Sequence, residues 1–128
     1  MNAITVLAGL WSAAFFGATK KEPASTLVVS YGAVGCTCTQ WVINTKSFVK
    51  YPEYIYLERN KATLAEADDL WDGNNIPLQL RVKGYFKLGK GVPARFMTAR
   101  YLTRGRPDPA RIFCYTSFTV LKNGHRTR

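Results

Sequence analysis

Histidine is almost missing from this chain, and its single copy, His125, falls in the last four residues. Without a second imidazole there is no base to pair with a serine or cysteine, so hydrolytic and acid–base catalysis have no constellation to rest on. Acids are scarce too, eight against eighteen Lys and Arg, leaving a formal charge of +10. Glycine-rich phosphate-loop and dinucleotide patterns do not occur, and Gly89-Lys90-Gly91 alone carries little information. No internal repeat is present. These absences point to a non-enzyme with no cofactor. What remains, 128 residues with 47% hydrophobic and 20% charged, suits one folded domain.

The charge that is present is unevenly placed. Residues 53–72 carry Glu53, Glu58, Glu66, Asp68, Asp69 and Asp72 against Arg59 and Lys61, whereas residues 76–106 hold eight bases and no acid. Such a concentration attracts phosphates, acidic glycans, anionic lipid or an acidic protein patch. Glu66, Asp68, Asp69 and Asp72 read as a solvated face rather than paired catalytic carboxylates.

Long apolar runs are confined to the start. Residues 1–18 are uncharged in their side chains and mostly apolar, which predicts an export signal or anchor although the basic n-region is lacking. A second processing signal, Ala33-Val34-Gly35-Cys36, has the residues that precede a lipidated cysteine. The expected organisation is a hydrophobic leader over 1–18, a linker over 19–25, one domain over 26–122, and a flexible basic tail over 123–128. An exported protein of this kind would be periplasmic or attached to the cell envelope, and cytoplasmic if the leader is not a signal.

Seventeen aromatic residues and few helical patterns favour strands. Leu27 to Tyr31 and Thr37 to Asn44 read as strands, and Tyr54 to Leu57 as a short one with Ile55 and Leu57 on one face and both tyrosines on the other. Asn60 as N-cap, Leu64, Ala67 and Leu70 at helical spacing, and Gly73 as a stop predict one short helix. From Leu78 to Lys87 the alternation is strict. Leu78, Leu80, Val82 and Phe86 mark a buried face, and Gln79, Arg81, Lys83, Tyr85 and Lys87 an outward, cationic one. Gly84 occupies an inward position where a strand can coil tightly. A Gly-, Pro- and Arg-rich connection over 88–109 leads to a last strand from Arg111 to Lys122, with Ile112, Cys114, Thr116, Phe118 and Val120 expected on one face.

Strand, strand, strand, helix, strand, long loop, strand is the order of the OB-fold, a five-stranded Greek-key barrel. The expected class is thus mostly β with one short helix. Cys-Thr-Cys-Thr-Gln-Trp (36–41), Tyr-Ile-Tyr-Leu-Glu (54–58), Ala-Asp-Asp-Leu-Trp-Asp-Gly (67–73), Leu-Gln-Leu-Arg-Val-Lys-Gly-Tyr-Phe (78–86) and Ala-Arg-Ile-Phe-Cys-Tyr (110–115) together resemble small exported or lipid-anchored OB-like domains of Bacteroidetes-type bacteria. The resemblance covers residues 28–122 and implies an envelope setting with no assigned activity. It also leaves the lipid anchor open, because residues 1–18 contain no cysteine.

Three cysteines, Cys36, Cys38 and Cys114, suggest one disulfide and one free thiol in an oxidising compartment. Of the three pairings, Cys36–Cys38 lies at the edge of what a disulfide spans and a bridge from either to Cys114 is the easier geometry, where closing about 75 residues would contribute on the order of 4 kcal/mol. Three thiolates could instead hold a soft metal, yet a fourth ligand is lacking. The functional expectation is a cell-envelope binding or structural module. It would use Arg81, Lys83, Tyr85 and Lys87 on a strand face with Lys90, Arg95, Arg100 and Arg104 beside it, against an acidic glycan, an anionic membrane surface or a protein. The alternatives are a single-stranded nucleic-acid binder and a thiol metal or redox protein.

Overall fold

The computed structural model describes residues 23–34, 38–45, 50–99 and 105–124. The leader at 1–18, Cys36, Arg100, Arg104 and the tail from His125 lie outside the described residues. Five strands form one mixed sheet: β1 (Ser25–Tyr31), β2 (Trp41–Ile43), β3 (Tyr54–Arg59), β4 (Leu78–Gly91) and β5 (Ala110–Asn123). β1 pairs antiparallel with β2 and β4, β2 antiparallel with β3, β3 parallel with β5, and β5 antiparallel with β4. Every strand therefore has a partner on both sides, and the order β1-β2-β3-β5-β4 returns to β1.

Alternation in β4 drives this arrangement. Leu78, Leu80, Val82, Gly84 and Phe86 are buried, while Arg81, Lys83 and Lys87 are exposed. The buried row joins Val29, Trp41, Ile55, Leu57, Phe113 and Tyr115 in one core. Each large apolar side chain withdrawn from water there contributes ~1.5–3 kcal/mol. Gly84 sits where a Cβ would lie 2.0 Å from the Cys114 carbonyl oxygen, so glycine is required for β4 and β5 to approach at that register shift.

In β5 the expected phase holds only in part. Phe113 and Tyr115 face the core, whereas Ile112 and Cys114 lie on the opposite face, where Ile112 packs with Tyr56 and Phe96. The register shift between Lys83 and Gly84 leaves Thr116 as an extra residue on β5, and beyond it Phe118, opposite Val82, turns inward. A bulge of one residue inverts every later side chain of a strand. β3 follows the expected alternation, with Ile55 and Leu57 in the main core and the tyrosines on the other face, where Tyr54 is exposed and Tyr56 is buried beneath the connection that follows β4. That connection packs Phe96 on Tyr56, with ring centroids 5.6 Å apart, and the Tyr56 hydroxyl donates to the Asp108 carbonyl at 2.7 Å.

The expected helix over 60–73 is absent; in its place is a turn followed by a single 3-10 turn, Ala67–Leu70. Tertiary bonds take the backbone groups a helix would use. Arg59 Nη1 donates to the Ala62 and Leu64 carbonyls, and the buried Asn75 side chain donates to Leu70 and accepts from Asp72. The fully buried Tyr115 hydroxyl donates to the Ala65 carbonyl at 2.7 Å and accepts the Ala67 N–H at 2.9 Å.

Burial pushes the Tyr115 phenol up from 10.0 to about 12, with the Ala67 N–H opposing and the Glu66 carboxylate adding to the shift. A proton held more tightly in the fold than in the unfolded chain gives stability that is complete below pH 10.0 and is lost as the pH approaches 12. Denaturant midpoints measured against pH should therefore show a fall on the order of 2–3 kcal/mol across that window. In Tyr115→Phe the contribution of this group to the fall should vanish. That variant should also be about 1–3 kcal/mol less stable at neutral pH, because the Ala67 N–H loses its acceptor.

Candidate functional site

A lattice of outward side chains spans β1, β4 and β5. Lys83 lies between Thr26 and Ser117, Arg81 between Val28 and Thr119, and Gln79 between Ser30 and Lys122. Pleating places alternate residues of each strand on this face, with successive rows ~6.5–7 Å apart. Arg81 and Lys83 are exposed, as is Lys122. Hydroxyls, an amide and Val28 fill the positions between them, and Gln79 Nε2 donates to Ser30 Oγ, which donates to Asn44 Oδ1 at 2.9 Å. Among the described residues of these rows there is no carboxylate.

Next to Lys83 the face becomes concave. A groove of about 480 Å³ is lined by Ser25, Thr26, Asn60, Lys83, Tyr85 and Thr116. Tyr85 is half-buried, and its phenol is held above its ordinary value by a hydrogen bond with the Cys114 thiol, by burial and by the Glu58 carboxylate, an Asn60 hydrogen bond opposing. Thr116 Oγ1 donates to the Lys83 carbonyl at 3.2 Å.

The other cations expected here are used differently. Lys87 is paired with Glu58. Lys90 is exposed but lies opposite Arg111, beyond the register shift that follows Phe86. Arg95, expected among the ligand-facing cations, is engaged within the fold: its guanidinium pairs with Glu66 at 3.1 Å and with Asp68, donates to the Leu57 carbonyl at 2.9 Å and rests 4.5 Å from the Phe96 ring centroid. Arg59 pairs with the other oxygen of Glu66 at 3.2 Å, and Trp41 Nε1 donates to Asp68 at 2.7 Å. The acids at 66 and 68 are therefore not a solvated face. They form a half-buried ionic joint that fastens the 3-10 turns, Ala67–Leu70 and Ala94–Met97, against the sheet.

The cysteines also depart from expectation. Cys114 is a free, buried thiol and Cys38 is disulfide-bonded, so no bridge ties Cys38 or Cys36 to Cys114. Among the described residues no group of three His, Cys, Asp or Glu side chains could hold a metal, and a disulfide-bonded Cys38 offers no thiolate to the proposed ligand set. Thr26, Ser117, Thr119 and Lys122 join the face without having been expected there, and Asn60, expected as a helix N-cap, lines the groove instead. The alternation of Thr26, Val28 and Ser30 with apolar Leu27, Val29 and Tyr31 was the available signal for the β1 members. Comparison with known proteins finds no matching family model, no similar curated protein and no similar solved structure.

Structural and free cations separate in one experiment. Arg95→Ala removes the shared cation from two carboxylates that are 16% and 21% exposed, leaving Glu66 with Arg59 and Asp68 with Trp41, a setting between a surface ion pair and a buried one. The expected loss is about 2 kcal/mol in urea denaturation. Arg81→Ala, made on an open face, should change stability by no more than about 0.5 kcal/mol.

Proposed function

We propose that this chain is an OB-type barrel that serves as a non-enzymatic binding module for an anionic partner, with the β1–β4–β5 face as its contact surface. The barrel reading is supported by the strand order, by the parallel β3–β5 ladder inside an otherwise antiparallel sheet, and by the short capping segment between β3 and β4. One observation carries the binding reading: Arg81 and Lys83 are exposed side by side with hydroxyl-bearing neighbours and no acid across from them. By contrast, four cations elsewhere among the described residues, Lys87, Arg95, Arg59 and Arg111, are paired with carboxylates. Leaving two adjacent cations unpaired on a sheet face produces the local positive field that draws an anion in.

We further propose a cell-envelope setting. It accords with the apolar stretch at 1–18, with the resemblance to exported Bacteroidetes-type domains, and with a disulfide-bonded Cys38, which persists in oxidising compartments.

Dextran sulfate titrated into the full chain at several salt concentrations tests the binding reading. Affinity should fall linearly as log salt rises, and Arg81→Ala with Lys83→Ala should reduce the slope by about one unit per removed contact. Arg106→Ala, removing an exposed cation outside these rows, should leave the slope nearly unchanged. A slope indifferent to positions 81 and 83 contradicts the reading.

A further inference from the structure

We infer that the groove beside Lys83 is a sugar subsite and that the anionic partner is an acidic polysaccharide bearing carboxylates or sulfates. The inference rests on the anionic-partner reading above and adds the chemistry of the ligand. The groove, about 480 Å³ and largely open to solvent, has room for a sugar residue lying along the face as well as for a bare ion. Its wall supplies what a sugar ring with one acid group asks for. The Ser25 and Thr26 hydroxyls can both donate and accept, the Asn60 amide does both through separate atoms, and the Lys83 ammonium meets the acid. Thr116 spends its proton on the Lys83 carbonyl, so its oxygen is set to accept from a sugar hydroxyl.

Tyr85 offers part of its ring to the apolar edge of a pyranose. Its half-buried position in the sheet limits the ring's freedom before a ligand arrives, which lowers the entropy lost on binding. Beyond the groove the rows of Arg81 with Thr119 and of Lys122 with Gln79 continue the alternation of cation and neutral polar group, as a polymer with regularly spaced acids requires.

A single-stranded nucleic acid shares the negative charge but needs ring faces on which successive bases can stack. Among the described residues of this surface Tyr85 is the only ring, and the well-exposed Tyr51 and Tyr54 sit just before and at the start of β3, on other strands of the sheet. A base lying on Tyr85 would have no second ring to follow it. Hydroxyls and amides dominate instead, and they suit sugar hydroxyls better than bases.

Full-length protein titrated at low salt with an oligogalacturonate and with an oligo-dT of equal charge decides the matter. The expected result is binding of the uronate at least about tenfold tighter, a difference worth 1.4 kcal/mol. Ser25→Ala with Thr26→Val, both exposed positions at the start of β1, should weaken uronate binding by about tenfold and leave oligo-dT binding within about twofold. Oligo-dT binding as tight as or tighter than the uronate overturns the polysaccharide inference while leaving the anionic-partner reading standing. Equal loss of both ligands in the double variant overturns the subsite. If neither polymer binds, both readings fail together.

Discussion

Strand β4 can bury Leu78, Leu80, Val82 and Phe86 only while it is hydrogen-bonded on one flank to β1 and on the other to β5, and everything else follows from that double pairing. It fixes which face of β4 looks outward, and so puts Arg81 and Lys83 into solvent. It brings β1 and β5, far apart in sequence, into one surface whose rows alternate cations with hydroxyls. It also demands Gly84, since any side chain there would collide with the backbone of β5. A strand so constrained cannot slip by one residue without turning its charges into the core.

The electrostatics divide into two populations because the fold treats them differently. Acids from residues 53–72 are spent on joints: Glu66 and Asp68 on Arg95 and Arg59, Glu58 on Lys87, and Glu53 on Arg111. Arg111 in turn lies 3.6 Å from the centroid of Phe86, closing one end of the core with its guanidinium. With those four acids committed, no carboxylate stands in the described β1–β4–β5 rows to oppose their cations. The functional face is thus a remainder produced by the way the scaffold is fastened, and its charge density does not depend on the total charge of the chain.

How much of this could be read from the residues differs by element. The alternation over 78–87 was legible because a half-buried strand writes its period directly into side-chain polarity. The number of strands and the polar outward face of β4 were legible for the same reason. The β5 phase was not, because a bulge at Thr116 inverts the faces without leaving a mark in composition. The region over 60–73 read as a helix from Leu64, Ala67 and Leu70, but its backbone is held by Arg59, Asn75 and Tyr115, contacts that no local pattern reports. Arg95 read as a ligand-facing cation for a similar reason. Its partners Glu66 and Asp68 are nearly thirty positions away, and only the parallel placement of β3 beside β5 brings the two segments together.

Amide hydrogen exchange resolved along β4 by NMR tests the double pairing most directly. In an antiparallel ladder alternate residues direct their amides to opposite flanks, so a strand with two partners protects consecutive amides and a strand with one protects every second amide. Slow exchange at Leu80, Arg81, Val82 and Lys83 in succession is the result this account predicts. Fast exchange at every other one of those residues would mean that β4 has only one neighbour, and it would remove the three-strand surface along with the site built on it.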